Sequence, residues 1–200
     1  MEKHLHIICL NIPYPADYGG MYDLFYKLPA LHKEDIKIHL HCFFKDRSEQ
    51  AELNKYCEEV FYYPRNTSSK SILSQLPYIV ASRSDETLAT RLLEDDHPIL
   101  MEGTHCTYLT NDKRFKNRKM FVRVHNIESE YYRQLYKFSD EFRKKIYYLL
   151  EANRLYAYER KLSKAGTSFR AVSRKDVSYF QNVFIVGTES CRGFIINTVG

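Results

Sequence analysis

The sequence has no tryptophan, no Cys-x-x-Cys pair and no apolar run near the roughly twenty residues that a helix needs to cross a bilayer. The last absence argues against a membrane-spanning helix. Five cysteines (Cys9, Cys42, Cys57, Cys106 and Cys191) are odd in number and widely spaced, which argues against a disulfide framework. The opening residues, MEKHLHIICLNI, begin a strand at once and lack the basic start, long apolar stretch and small-residue cleavage site of a secretion signal. Together these absences point to the cytoplasm. No tract rich in Pro, Gly or Ser divides the chain, so it reads as one domain, able to bury roughly two thirds of its unfolded surface. A P-loop, a Gly-x-Gly-x-x-Gly fingerprint and any Ser/His/Asp or Cys/His arrangement are also missing.

What is present is ordinary in amount and uneven in kind. Hydrophobic residues make up 44% and charged residues 28%, as in globular domains. The net charge of +5 is too diffuse for a dedicated nucleic-acid binder, and no RNP-like, zinc-finger or helix-turn-helix signature occurs. The 17 Tyr and 12 Phe suit half-buried surfaces and clefts, because Tyr joins an apolar body to a polar tip.

Strand and helix signals alternate along the chain. Apolar runs predict strands at 5–12, 36–44, 58–63, 98–102, 119–124 and 169–172. Helical spacing predicts helices at 21–32, 72–76, 85–95, 128–138, 140–164 and 174–180. Alternation of this kind is the mark of βαβ units, so the expected fold is α/β, a Rossmann-like parallel sheet with helices on both faces. Ligands of such sheets sit beyond the C-terminal ends of the strands.

Three strand ends carry candidate chemistry. After the first strand stands Pro13-Tyr-Pro-Ala-Asp17-Tyr-Gly19-Gly20. Its glycines would let backbone N–H groups and a helix N-terminus approach a phosphate, or would simply supply the positive φ of a tight turn. Asp17 counts among the substrate-binding candidates of that loop. After another strand comes Glu102-Gly103-Thr104-His105, where a carboxylate and an imidazole fit acid/base work or hydroxyl binding, and Thr104 fits a helix cap. Val124-His125-Asn126-Ile127-Glu128 follows the next strand. There His125 can meet a hydroxyl, carbonyl or phosphate oxygen, and Asn126 fits a cap.

His39 and His41 alternate along one strand face. No carboxylate or Cys completes a metal set at a convincing spacing, so no metal site is expected and strand packing is favoured. The run FRKKIYYLLEANRLYAYERKLSK is basic and amphipathic, as in helices that lie on membranes, yet acidic residues interrupt it and its Ile/Leu/Tyr stripe fits a core.

In order and spacing these segments resemble one family. The first strand with P-Y-P-A-D-Y-G-G and IKIHLHCF is similar to the opening of GT-B-fold glycosyltransferases of family 4. VRVHNIESEYYRQL, a long helix with E-A-N-R-L-Y-A-Y-E, and AVSRKD resemble the close of that family's N-terminal domain, so the likeness spans about residues 4–182. The resemblance implies half of a GT-B fold, the acceptor-binding half, acting with a nucleotide-sugar donor on a glycan or glycolipid and using no cofactor. It implies that Gly19 and Gly20 approach the donor diphosphate and that His125 is the catalytic histidine that contacts the transferred sugar. Asn126 and Glu128 would flank it, Glu102 and His105 would line the acceptor side, and Ser173 would face the interdomain crevice.

Departures shape the expectation further. Many members carry an Arg in the helix after the glycine pair, where this chain has Met21-Tyr22-Asp23. The donor domain with its paired glutamates is not seen, and residues 183–200 leave the family pattern. The expected organisation is therefore a domain at 1–182 with an atypical tail, inactive by itself. The rival expectation is a non-catalytic α/β module that binds a partner or dimerises. Peripheral contact with the inner face of the membrane is a further expectation that the basic helix raises.

Overall fold

A computed structural model describes residues 2–17, 19–68, 71 and 74–162 in full, and the backbone of 168–171. Ser173, the helix expected at 174–180 and the tail lie outside the described residues.

Six parallel strands form one sheet: β1 (Lys3–Cys9), β2 (Ile36–Phe44), β3 (Glu59–Pro64), β4 (Ile99–Glu102), β5 (Met120–Val124) and β6 (Ser168–Ala171). Their spatial order is β3-β2-β1-β4-β5-β6, the Rossmann arrangement. Ile7, Ile8 and Cys9 of β1 are wholly buried, as an unbroken apolar run requires of a strand covered on both faces.

Helix α1 (Gly19–Lys33) covers one face, where Met21, Leu24 and Leu28 pack on Ile7, Cys9, Leu40 and Cys42. Each buried Leu there contributes about 2 kcal/mol. The other face is covered by α2 (Tyr78–Ala81), α3 (Glu86–Leu92) and the C-terminal half of α5 (Phe142–Leu162). Helix α4 (Glu128–Phe138) runs beside α5, held to it by Ser129 Oγ donating to Glu159 at 2.6 Å. Asp85 caps α3 by accepting from Leu88 N at 3.0 Å.

Several local expectations change. The helix after the glycine pair starts at Gly19, so both glycines lie in its first turn and not in a preceding turn, and neither takes positive φ. Neither expected side-chain cap forms: Ile127 holds the cap position before α4 while Asn126 is exposed, and Gly103 precedes the 3-10 turn at Thr104–Cys106. The stripe of the long helix is core only in its second half. Leu155, Tyr158 and Leu162 are buried, whereas Ile146, Leu149 and Leu150 are exposed. Cys9, Cys42 and Cys106 are buried free thiols, and burial pushes the Cys106 thiol up to about 12.

His39 and His41 do share a sheet face, and their partners are other side chains. His4 Nδ1 meets His39 Nε2 at 3.0 Å, and His39 Nδ1 donates to Glu59 at 2.7 Å. His6 Nδ1 meets His41 Nε2 at 2.9 Å, His6 Nε2 lies 2.9 Å from Asp95, and His41 Nδ1 lies 3.0 Å from the Tyr63 hydroxyl. The rings of His4 and His97 stack with centroids 4.4 Å apart.

Candidate functional site

The strand order reverses between β1 and β4, and the crevice beyond their C-terminal ends is where such sheets take ligands. Glu102, the last residue of β4, stands in that crevice with no exposed surface. Two donors meet its carboxylate. Lys27, two turns into α1, bonds one oxygen, and His125 Nε2, just beyond β5, donates to the other at 2.8 Å. Burial by itself would raise the Glu102 carboxyl, but the His125 bond and the Lys27 charge outweigh it and hold it below the usual range. The carboxylate also sets the imidazole's proton on Nε2 and leaves Nδ1 for a ligand.

Asp23, one turn before Lys27, extends the network. It accepts from Arg123 Nη2 at 2.8 Å and lies 3.7 Å from the Lys27 ammonium. Ligand atoms of Asp23, Glu102 and His125 lie within 4.8 Å of one another, close enough to converge on a metal ion. Yet Lys27 and Arg123 already neutralise both carboxylates, so an ion would have to displace an ammonium. The donor set fits an ion-pair network better than a metal centre.

Gly103 brings a second pair of residues close. Its φ of 83° and ψ of 163° suit glycine alone. A Cβ there would lie 3.3 Å from His105 Nδ1, 3.5 Å from Leu10 Cδ2 and 3.8 Å from His125 Cδ2. His105 Nδ1 in turn lies 3.9 Å from Glu128. Burial, then the charges of Arg83 and Arg65, drive the His105 imidazole well below its usual range, so it is neutral at pH 7. Burial and the neighbouring Glu159 push Glu128 up to about 7.

Of the residues singled out from sequence, Glu102, His105, His125 and Glu128 therefore cluster on one rim. Asp17 stands apart, bonded to Arg47, which also donates to the carbonyls of Ile12 and Pro15. Gly19 opens α1, with nothing within 4 Å of a Cβ built there. Asn126 is exposed beside His125. Sequence reasoning missed Asp23, Lys27 and Arg123. The i, i+4 pairing of Asp23 with Lys27 and the lone charge inside the apolar strand MFVRV were the available signals.

Comparison with known proteins adds a modest relative. No protein-family model matches the chain. An "Uncharacterized 44.6 kDa protein in cps region" of Klebsiella pneumoniae is 27% identical over 152 residues, covering 72% of this chain. The chain spans 39% of that relative's length.

Proposed function

We propose that this chain is the acceptor-side half of a glycosyltransferase that moves a sugar from a nucleotide-sugar donor to a glycan or glycolipid in cell-surface polysaccharide synthesis. The observation that carries the reading is His125, fixed on the buried Glu102 at the crevice of a Rossmann-ordered sheet. The relative's place in a cps region, a capsule polysaccharide setting, supports it.

In this reading Nδ1 of His125 meets the transferred sugar and stabilises charge as the glycosidic bond to the donor breaks. Glu102 and Lys27 hold the ring in place. Gly19 and Gly20, in the first turn of α1, let the donor diphosphate approach backbone N–H groups. Ser173, outside the described residues, keeps its proposed place at the crevice, and Asp17 and Asn126 flank the acceptor path. The reaction uses no cofactor, and the nucleotide-binding groups come from a donor domain.

The test exchanges the matching segment of the Klebsiella pneumoniae relative for this chain and assays transfer from radiolabelled nucleotide sugars to lipid-linked and free oligosaccharides. Transfer that His125→Ala lowers at least a hundredfold in kcat, with KM little changed, supports the reading. Absence of transfer from every donor, or transfer indifferent to His125→Ala, refutes it.

A non-catalytic binding or dimerisation module is the second reading. It is favoured by Phe138, Phe142, Ile146, Leu149 and Leu150, all exposed along the α4–α5 pair. Sedimentation that depends on concentration supports dimerisation. Among the described residues no helix is long and apolar enough to cross a membrane. The same two helices carry Lys137, Arg143, Lys144 and Lys145, so salt-sensitive binding to anionic liposomes would mark peripheral membrane contact instead.

A further inference from the structure

Arg83 is buried and its guanidinium is spent on two carbonyls: Nε donates to Leu10 O at 2.9 Å and Nη1 to Ile79 O at 2.9 Å. Leu10 is the first residue beyond β1, so Arg83 reaches the ligand-binding end of the sheet. Arg65, the first residue beyond β3, is fastened beside it. Its Nη2 donates to Ser82 Oγ at 3.3 Å, and the next residue, Asn66, donates its N–H to Ser82 O at 2.9 Å. A Cβ built on Gly103 would meet both His105 Nδ1, at 3.3 Å, and a methyl of the same Leu10, at 3.5 Å.

Three polar atoms in this cluster are buried without a protein partner: Arg65 Nε, His105 Nδ1 and Thr104 Oγ1. Buried polar groups are normally bonded, and buried charges are normally paired. The nearby carboxylate is Glu128, which stays beyond hydrogen-bond reach of His105. Arg83 thus stands near both Arg65 and the Glu128 carboxyl, which Glu159 crowds in turn, while the donors beside it have nothing to donate to among the described residues.

We propose that Arg65, Arg83 and His105 form a subsite for an oxyanion, a phosphate or carboxylate group, at the C-terminal rim of the sheet next to His125. The two guanidiniums supply the charge, Arg65 Nε supplies a directed N–H, and a neutral His105 with its proton on Nδ1 supplies another. Assigning this oxyanion to the sugar acceptor rests on the glycosyl-transfer reading, but the binding itself does not. On that assignment the acceptor is anionic, either phosphorylated or an acidic sugar.

The experiment titrates the purified chain with inorganic phosphate and, separately, with methyl glucuronide at constant ionic strength, following the His105 ring resonances by NMR. His105→Gln identifies those resonances by their loss. A saturable shift with either anion, weakened tenfold or more in Arg65→Gln, is the expected result. Tighter phosphate binding marks a phosphorylated acceptor, and tighter glucuronide binding marks an acidic sugar. No saturable shift with either anion, or one that Arg65→Gln leaves unchanged while circular dichroism shows the variant folded, overturns the subsite. Binding without transfer in the segment-exchange assay would sink the transfer reading alone. Transfer without binding would sink this subsite alone.

Discussion

The ring nitrogens of His6 and His41 lie 2.9 Å apart, Nδ1 to Nε2, and that bond sets the proton positions of a whole row of side chains. Asp95 can only accept, so His6 carries its proton on Nε2 and must accept at Nδ1 from His41. His41 therefore also carries its proton on Nε2 and accepts at Nδ1 from the Tyr63 hydroxyl. Arg91 donates to that hydroxyl at 2.8 Å and closes the row. Long-range nitrogen–proton NMR should show both histidines neutral and protonated on Nε2. An Nδ1–H signal for either ring would break the scheme. Tyr63→Phe, which takes the donor from a buried imidazole, should cost about 2 kcal/mol in urea unfolding.

Acid should act on this row and on Glu128 in opposite senses. Burial lowers His6 to about 4, so the unfolded chain binds its proton first and stability drains away as pH falls from about 6.5 towards 4. By pH 4.5 the His6 share of the loss is about 2.5 kcal/mol. Glu128 is raised to about 7, so the folded chain keeps a proton that the unfolded chain has lost. Its contribution is full below about 4.5 and is lost as pH rises through 7. Glu128→Gln should therefore raise stability at pH 8 by up to about 3 kcal/mol. The same variant should steepen the decline below pH 6.5. Parallel wild-type and variant curves between pH 4.5 and 8 would remove Glu128 from this account.

Lys27 neutralises a carboxylate that has no exposed surface. Lys27→Met leaves Glu102 with His125 alone and should cost about 3 kcal/mol, because one partner of a buried pair is removed. The double variant Lys27→Met, Glu102→Gln should recover much of the loss. Asp23→Ala, at a carboxylate open to solvent, should cost under about 1 kcal/mol. Urea titration of the four proteins decides, and a harmless Lys27→Met would show that His125 alone satisfies Glu102.

Gly103→Ala places a methyl group against His105 Nδ1 in a backbone conformation that alanine avoids. The expected cost is about 1–3 kcal/mol. The ring resonances of His105 and His125 should shift together, since both face the added carbon. Unchanged rings in a variant of wild-type stability would mean that the backbone accommodates alanine at no cost to the rim.

Much of this architecture was legible because its signals are local. Runs such as IIC in β1 and CFF in β2 are apolar on both faces, and parallel strands in the middle of a sheet read that way. Glu102, His105, His125 and Glu128 were legible as strand-end residues, since the fold class alone says that strand ends face ligands. Lys27 was not, because its meeting with Glu102 depends on how α1 lies across the sheet, 75 residues from the strand that carries the carboxylate. Arg83 sits just past a four-residue helix with no periodic signal, and the carbonyls it serves belong to Ile79 and Leu10. Capping was misread because the residues before α4 and the turn after β4 go to the ligand-facing rim instead of to helix termini.

Arg47 spans two loops at once: it belongs to the connection after β2, and Ile12, Pro15 and Asp17, to which it donates, belong to the connection after β1. Mechanically the Arg47 guanidinium rivets the two connections into one plate. A movement that lowers the glycine end of α1 onto a ligand must either carry residues 45–50 with it or shear off that rivet. Arg47→Ala would then leave the two connections free to move independently.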